Sequence, residues 1–282
     1  MSDSKLDKKA NAIRQDIIKM LEEAGSGHTA GPLGMTDVFT ALYFGDVVRY
    51  DPKDPDWDER DYVVLSNGHI APVLYTALAH AGYFPKKELA TLRKFGSRLQ
   101  GHPERTKLPG IENTSGPLGN GLGQAVGMAY GLKMDDRHNQ WVWALCGDGE
   151  LDEGVIWEAA LFAGNNHLYN LTAFIDRNNI QIDGLTEEVM PLEDLKAKWQ
   201  AFGWHVIEVD GHNIEDVVAS CNMAKAIVEK PVAIICHTIP GKGVDFMQFD
   251  YHWHGKPPEH GEAKQALEQL RTLDGKITGE HE

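Results

Sequence analysis

The chain has 282 residues, of which 42 are acidic and 27 are basic, so its formal net charge is −15. Nucleic-acid binding usually requires a basic face that displaces counterions from phosphates, and this acidic balance therefore disfavours a nucleic-acid partner. No apolar segment reaches the roughly 18 residues of a membrane-spanning helix, and the charged amino terminus lacks the apolar core of an export signal. We expect no membrane partner and a cytoplasmic location.

The cysteines support the same location. Cys146, Cys221 and Cys236 are widely spaced and form no CxxC pair. This spacing is not typical of a disulfide framework or of a zinc site, and it favours a reducing compartment. We therefore predict three buried apolar thiols.

The first sixty residues predict helices and a loop. Apolar residues recur near the helical period over 6–23, and glycines follow this segment. Thr36 is a plausible N-cap for a second helix that extends to Phe44. The acidic, proline-containing segment 51–61 predicts a solvated loop.

From residue 62 onward, apolar segments of strand length recur and alternate, in the later part of the chain, with helical ones. The predicted strands are Tyr62–Leu65, Trp141–Cys146, Leu171–Asp176, Trp204–Val209 and Val232–Thr238. The predicted helices lie near 154–165, 192–202, 213–229 and 261–274. This alternation predicts an α/β fold, a parallel sheet with helices on both faces. Residues 1–282 should form a single domain, because neither an internal repeat nor a separating linker is visible.

Ligands of parallel α/β sheets bind outside the carboxyl ends of the strands, so functional residues should directly follow strands. Gly147-Asp148-Gly149 follows one predicted strand, and Asn178-Asn179 follows the next. Carboxylate and amide oxygens suit Mg²⁺ or Ca²⁺ better than zinc, and a phosphate-bearing ligand with water would complete the coordination. Each segment alone could be a simple turn, but their joint placement favours a metal site.

Segment 116–127, GPLGNGLGQAVG, is rich in glycine. It favours a close approach of the backbone to a ligand, followed by a helix from about Leu122 whose amino end attracts anions. A dinucleotide-binding fingerprint fits poorly here, because the glycine spacing is wrong and 108–115 does not predict the required strand.

The GDG segment followed at this distance by NN resembles the thiamine diphosphate motif, and the surrounding segments resemble transketolases. These segments, in the order seen in that family, are SGH at 26–28, SNGH at 66–69, GHPE at 101–104, TSGPLG at 114–119, IQIDG at 180–184 and HG at 254–255. The resemblance spans about Gly25 to Pro258. It implies a thiamine diphosphate-binding fold with thiamine diphosphate and Mg²⁺ as cofactors, where Ca²⁺ can replace Mg²⁺.

The resemblance also implies roles for individual residues. Asp148 and Asn178 would bind Mg²⁺ through their side chains, and Ile180 would bind it through its backbone carbonyl. The residues that would contact the cofactor are His69, Gly116, Leu118, Gly149, Asn178 and His254. Glu153 would lie at a subunit contact.

Three histidines are the expected catalytic residues. By the resemblance, His28, His102 and His254 would line the substrate entrance and bind hydroxyls at the reacting end of the donor. Imidazoles suit this position because they supply hydrogen bonds and transfer protons. The histidines expected to be structural are His80, His138, His167, His212 and His260.

Two positions depart from the family pattern. Thr29 and Ala30 follow His28 where transketolases often have proline and glycine, and Arg177 follows Asp176 where acidic residues are also common. We expect both departures to change local shape or specificity and to leave cofactor binding intact.

The resemblance implies a second domain, which binds the aminopyrimidine of the cofactor and supplies a glutamate that activates it. No further strands are predicted after Pro258 to build such a domain. We therefore expect a split transketolase of the pentose phosphate pathway, inactive without a C-terminal subunit. It would transfer a two-carbon ketol unit between sugar phosphates as a heterotetramer with two copies of each chain.

Three alternatives remain open at this point. The chain could be the α-subunit of a 2-oxoacid dehydrogenase, which also carries GDG and NN, although GHPE, TSGPLG and HG favour transketolase. Within the transketolase-like group, it could act on an unusual sugar or on pyruvate. It could also be a scaffold without activity, which the intact Asp148 and Asn178 disfavour.

Overall fold

A five-stranded parallel sheet forms the centre of the protein in a computed structural model that describes residues 3–272. The strands in chain order are β1 (Tyr62–Leu65), β2 (Val142–Gly147), β3 (Leu171–Arg177), β4 (Ile180–Gln181), β5 (Gly184–Leu185), β6 (His205–Asp210) and β7 (Val232–His237). The sheet has the order β1-β2-β3-β7-β6, and β4 pairs with β5 in a separate antiparallel hairpin.

Helices cover both faces of the sheet. One face carries α1 (Asp3–Ala24), α2 (Ala30–Gly34), α3 (Thr36–Phe44), α4 (Ala71–Ala81), α9 (Ile214–Ala226) and α10 (His260–Thr272). The other face carries α5 (Asn120–Met134), α6 (Gly154–Asn165) and α8 (Leu195–Ala201). A short helix, α7 (Thr186–Val189), follows the hairpin.

Each face of the sheet has its own hydrophobic core. Along β2, Trp143 and Leu145 pack into the core under α1 and α4, whereas Val142 and Ala144 pack into the core under α5 and α6. Because both sets of side chains are buried, the strand is apolar throughout and does not alternate with polar residues.

The predicted α/β fold with a parallel sheet is confirmed, and all five predicted strands form within one or two residues of their expected bounds. The predicted helices at 6–23, 36–44, 154–165 and 213–229 are also present, and the helix expected from Leu122 begins two residues earlier. Of the predicted segment 261–274, residues 273 and 274 lie outside the described part of the chain.

Helix α4 was not predicted, and its burial explains why. All its residues from Ala71 to Ala79 are buried, so its sequence shows no polar face and no helical period. Helices α2 and α7 and the β4–β5 hairpin are each too short to produce a periodic pattern.

The cysteines and the helices match what the sequence predicts for them. Cys146, Cys221 and Cys236 are buried and unpaired, as predicted, and burial raises the pKa of Cys221 to about 12. Among residues 3–272, no helix combines the length and the apolar character needed to cross a membrane.

Two glycines on neighbouring helices test the packing of this fold. A methyl group at Gly164 on α6 would lie 1.9 Å from the backbone oxygen of Phe202, whereas one at Gly127 on α5 would meet no atom within 4 Å. We expect Gly164→Ala to lower the free energy of unfolding by about 2–3 kcal/mol. Gly127→Ala should raise it by about 0.5–1 kcal/mol through helix propensity.

Urea unfolding of this chain, followed by circular dichroism, measures both effects. Equal stability of the two variants would contradict the packing of α6 against the segment around Phe202.

Candidate active site

A pocket of about 260 Å³ lies at the carboxyl ends of β1, β2 and β3. All the residues predicted to bind metal, cofactor or substrate line it: His28, His69, His102, Gly116, Leu118, Asp148, Gly149, Asn178, Ile180 and His254. Glu153 does not line the pocket and is exposed at the start of α6. Asp148 and Gly149 thus directly follow β2, and Asn178 directly follows β3, at the edge of the sheet where the pocket lies.

The pairing of β2 with β3 brings the predicted metal ligands together. Gly147 is in register with Asp176, and the backbone N–H of Asp148 donates to the carbonyl of Asp176 at 3.1 Å. Asp148 is 1% exposed and Asn178 is 7% exposed, so both side chains are desolvated at this edge of the sheet.

The two oxygens of the Asp148 carboxylate have different surroundings. Oδ2 accepts hydrogen bonds from the backbone N–H of Asn179 at 2.8 Å, from Arg177 at 3.2 Å and from the Thr186 hydroxyl at 3.3 Å. Within the described part of the chain, Oδ1 accepts only from the backbone N–H of Gly149, at 2.8 Å. Four donors thus hold the carboxylate in place, and Oδ1, which accepts from one of them, keeps spare acceptor capacity.

Asn178 is oriented by its neighbours in a similar way. Its Nδ2 donates to Asp176 Oδ2 at 2.8 Å, and its Oδ1 accepts from the backbone N–H of Ile180 at 3.0 Å. Because Nδ2 is directed to a carboxylate, the amide oxygen is available for a second interaction. A hard cation accepts this donor set of carboxylate, amide and backbone oxygens.

Two buried carboxylates stand side by side here. Burial raises the pKa of Asp148 to about 6, and burial together with the Asp148 charge raises the pKa of Asp176 to about 7. Hydrogen bonds from Thr238 and Asn178 oppose the shift of Asp176. A divalent cation would stabilise both charges, so the electrostatics fit a metal ion at this point.

Among residues 3–272, no three or more His, Cys, Asp or Glu side chains form a metal-binding group. The predicted set does not require one, because it contains a single carboxylate with an amide and a backbone oxygen.

Asn67 indicates that the pocket is built for a polar ligand. It lines the pocket after β1, it is 1% exposed, and neither its Nδ2 nor its Oδ1 has a partner within the described residues. An unsatisfied buried amide costs about 1–3 kcal/mol, so a ligand that supplies its hydrogen bonds would bind favourably. The pocket therefore fits a phosphate-bearing cofactor together with a cation.

Three histidines form a cluster in the pocket. The ring centroids of His28 and His69 are 4.9 Å apart, and His254 lies 5.4 Å from His28 and 5.0 Å from His69. Burial and the neighbouring imidazoles lower the pKa of His28 to about 4 and that of His69 well below its usual range. Burial also lowers the pKa of His254. The cluster is therefore neutral at pH 7.

The five histidines expected to be structural lie outside the pocket, and each has a partner in the protein. The pairs are His80 with Asp16, His138 with Tyr169, His167 with the Glu229 carbonyl, His212 with Asp37 and His260 with Glu22.

Glu150 holds the pocket loops together, although the sequence did not single it out. One oxygen of its buried carboxylate accepts from the backbone N–H of Gly119 at 2.6 Å and from the Ser66 hydroxyl, and the other accepts from Gly147 at 2.9 Å. Ser66 in turn accepts from the backbone N–H of Leu122 at 3.2 Å. At the amino end of α5, the Gly119 N–H thus binds the Glu150 carboxylate, and the Leu122 N–H binds the Ser66 hydroxyl.

Close packing accounts for two glycines of segment 116–127. A methyl group at Gly121 would lie 2.4 Å from the Ser66 Cα, so α5 can meet the end of β1 only with glycine here. Gly119 has a φ of +82°, and a methyl group there would lie 2.5 Å from Val155. Gly116 and Leu118, which precede α5, are the part of the segment that reaches the pocket.

Thr29 and Arg177, which depart from the family pattern, both form hydrogen bonds near the pocket. Thr29 is fully buried and donates to the Lys256 carbonyl at 2.6 Å, which joins the His28 loop to the segment after His254. Arg177 donates to Asp148 and also to Glu187 at 2.5 Å and Glu193 at 2.9 Å. It therefore connects the predicted metal ligand to the acidic segment around α7.

Several other residues line the pocket without a role predicted from the sequence. They are Asn67, Gly147, Glu150, Asp176, Gln181 and Ile182. The first four end or follow β1, β2 or β3, so position after a strand was the available signal for them. Gln181 and Ile182 lie in the β4–β5 hairpin, and their signal was the IQIDG segment.

Comparison with known protein families matches most of the chain to one family. A family model described as "Transketolase, thiamine diphosphate binding domain" matches residues 6–274. Fold and site thus define a thiamine diphosphate-binding domain. The chain belongs to the transketolase family.

Two similar relatives are themselves named as subunits. The chain is 46% identical to the 6-deoxy-6-sulfo-D-fructose transketolase subunit SqwG of Clostridium sp. strain MSTE9, over 88% of this chain and 90% of that protein. It is 40% identical to an apulose-4-phosphate transketolase subunit of Phocaeicola vulgatus, over 95% of this chain and 94% of that protein. It thus spans nearly the full length of both.

Longer transketolases match over part of their length. A transketolase structure from Pichia stipitis superposes with a TM-score of 0.89 and 36% identity, covering 94% of this chain and 40% of that chain. Human transketolase is 38% identical over 93% of this chain and 41% of its own length.

The low pKa of His28 gives a testable pH dependence. Between pH 6.5 and about 4, the unfolded chain binds a proton at His28 that the folded chain does not. The stability that the neutral ring contributes is therefore complete above pH 6.5 and is lost as the pH falls through this window. Replacing His28 with Gln should reduce the loss of unfolding free energy between pH 7 and pH 5 by about 1–2 kcal/mol.

Urea unfolding at the two pH values measures this difference. His138→Gln is the control, because His138 is exposed and outside the pocket. The assignment fails if the two variants lose stability equally.

Proposed function

We propose that this chain is the diphosphate-binding subunit of a split transketolase, which transfers a two-carbon ketol unit between sugar phosphates. The observation that carries the proposal is the pocket itself. It joins the Asp148–Asn178 pair to a neutral histidine cluster, in a chain that matches transketolase subunits over nearly their whole length.

Mg²⁺ would be held by Asp148, Asn178 and the backbone carbonyl of Ile180, and Ca²⁺ could replace it. The spare acceptor capacity of Asp148 Oδ1 and the fixed orientation of the Asn178 amide support this assignment. Gly149 would permit the diphosphate to approach the backbone, and the unpartnered Asn67 amide would hydrogen-bond to the cofactor.

Thiamine diphosphate, when bound, supplies the carbon centre that carries the two-carbon unit. The chain's own contribution is a set of imidazoles held neutral by burial. Each neutral ring can donate a hydrogen bond through one nitrogen and accept through the other, which suits substrate hydroxyls. His28, His102 and His254 would bind the sugar at the entrance, and His69 would lie beside the diphosphate.

A second chain would complete the site. Leu118 and Ile182 line the pocket, yet they are 36% and 65% exposed, which is the pattern of apolar side chains that another chain covers. We propose a C-terminal subunit that binds the aminopyrimidine, with two copies of each chain in a cytoplasmic enzyme. Glu153, exposed beside Gly119, would lie at a subunit contact.

A sugar outside the pentose phosphate pathway is a second candidate substrate. The relatives named above act, by their names, on 6-deoxy-6-sulfo-D-fructose and on apulose 4-phosphate. Their similarity favours the transketolase-like group over a 2-oxoacid dehydrogenase, and it supports testing modified ketoses beside xylulose 5-phosphate.

Asp148→Asn tests the metal assignment. The variant removes the only charged ligand of the proposed site and should weaken Mg²⁺-dependent binding of thiamine diphosphate at least about tenfold. Asp183→Asn is the matched control, because it makes the same charge change at an exposed position near the pocket. Titration calorimetry of the assembled complex measures both affinities, and unchanged binding in Asp148→Asn would refute the assignment.

The need for a partner is tested by assaying the purified chain alone. With Mg²⁺ and thiamine diphosphate it should show no ketol transfer, and adding the C-terminal subunit should restore activity. Turnover by this chain alone would exclude the split enzyme.

A further inference from the structure

Arg93 has an unusual backbone conformation close to the pocket. It has a φ of +59°, which is uncommon for a residue other than glycine. Its neighbour Leu92 and the nearby Leu99 are 1% and 0% exposed, and the Arg93 backbone N–H donates to the Leu99 carbonyl at 2.9 Å. The two buried leucines hold the loop, so the conformation of Arg93 is imposed by its surroundings.

The Arg93 guanidinium packs against two glycines. A methyl group at Gly101 would lie 2.9 Å from Cζ and 3.1 Å from Nη2 of Arg93, and one at Gly27 would lie 3.7 Å from Nε. Gly27 directly precedes His28, and Gly101 directly precedes His102. Both Gly-His pairs at the pocket entrance thus lie beside the same side chain.

The guanidinium has no counter-ion among residues 3–272. It makes no hydrogen bond or ion pair there, whereas other arginines pair with carboxylates. These are Arg14, Arg49, Arg60, Arg98, Arg137 and Arg177. Arg93 is exposed to solvent, which screens its charge, and no carboxylate of the described residues pairs with the guanidinium beside the two pocket histidines.

Charge and burial act together on these two rings. For His102, burial and the Arg93 charge both lower the pKa. For the pKa of His28, burial is the first cause of the lowering, and His254, Arg93 and His102 add to it. The His69 ring also packs against His28 at 4.9 Å.

We propose that Arg93 is a positioning residue for the two pocket histidines. Its guanidinium lies beside Gly27 and Gly101 and fixes the loops that present His28 and His102. It also places a permanent positive charge near both imidazole rings. Burial is the main reason that both rings are neutral, and the Arg93 charge adds to it. A neutral imidazole can both donate and accept hydrogen bonds. The charge state of the rings is a property of this chain, and only its catalytic consequence rests on the proposed function.

Histidine-selective NMR of the full chain at low ionic strength tests the charge effect. Arg93→Gln should raise the pKa of His102 by about half a unit, because a like charge is removed. Arg93→Lys should keep most of the lowering of the His102 pKa, because the positive charge remains. Arg98→Gln is the control, since it makes the same charge change in the same loop at an arginine paired with Glu88.

Gly101→Ala separates the position of the guanidinium from its charge. The new methyl group would displace the guanidinium while the net charge stays the same, so the pKa of His102 should again rise. An unchanged His102 pKa in both Arg93→Gln and Gly101→Ala overturns the proposal.

The assembled enzyme supplies the catalytic readout. Because the histidine pKa values rise without Arg93, the acidic limb of the kcat/KM profile should move to higher pH in Arg93→Gln and return in Arg93→Lys. A uniform loss of activity with an unmoved profile would make Arg93 merely structural and contradict the proposal. If the NMR shifts occur and the complex shows no ketol transfer, the proposed function fails while the positioning role stands.

Discussion

The register between β2 and β3 is the constraint on which the site depends. It places Gly147 opposite Asp176, so the turns that follow the two strands meet and bring a carboxylate and an amide into one desolvated space. A slip of one residue would turn these side chains to the other face of the sheet. The two hydrophobic cores prevent this slip, because they bury alternate residues of the same strands on opposite faces.

A second set of buried polar contacts fixes the pocket loops relative to the sheet. Glu150 binds the end of β2, the start of α5 and Ser66 at the end of β1. Gly121 lets α5 approach Ser66 closely enough for these contacts to form. The pocket loops are therefore held by the same rigid elements that carry Asp148, which suits a site that must orient a charged ligand.

Much of this architecture could be predicted from the sequence. The apolar strands and the GDG and NN segments after them identified the sheet and the edge where Asp148 and Asn178 meet. Helix α4 could not be predicted, because complete burial removes its polar face. Glu150 and Arg93 were also not identified, because their roles depend on contacts across the fold with Ser66, Gly119, Gly27 and Gly101. Spacing along the chain does not encode such contacts.

The most direct test of the central claim is a crystal structure of this chain with its partner subunit, thiamine diphosphate and Mn²⁺ in place of Mg²⁺. Anomalous scattering would locate the ion independently of the protein atoms. We expect one ion bound by the Asp148 carboxylate, the Asn178 amide oxygen and the Ile180 carbonyl, with the diphosphate beside it and the aminopyrimidine contacting the partner. An ion or a diphosphate bound away from the carboxyl ends of β2 and β3 would contradict this claim.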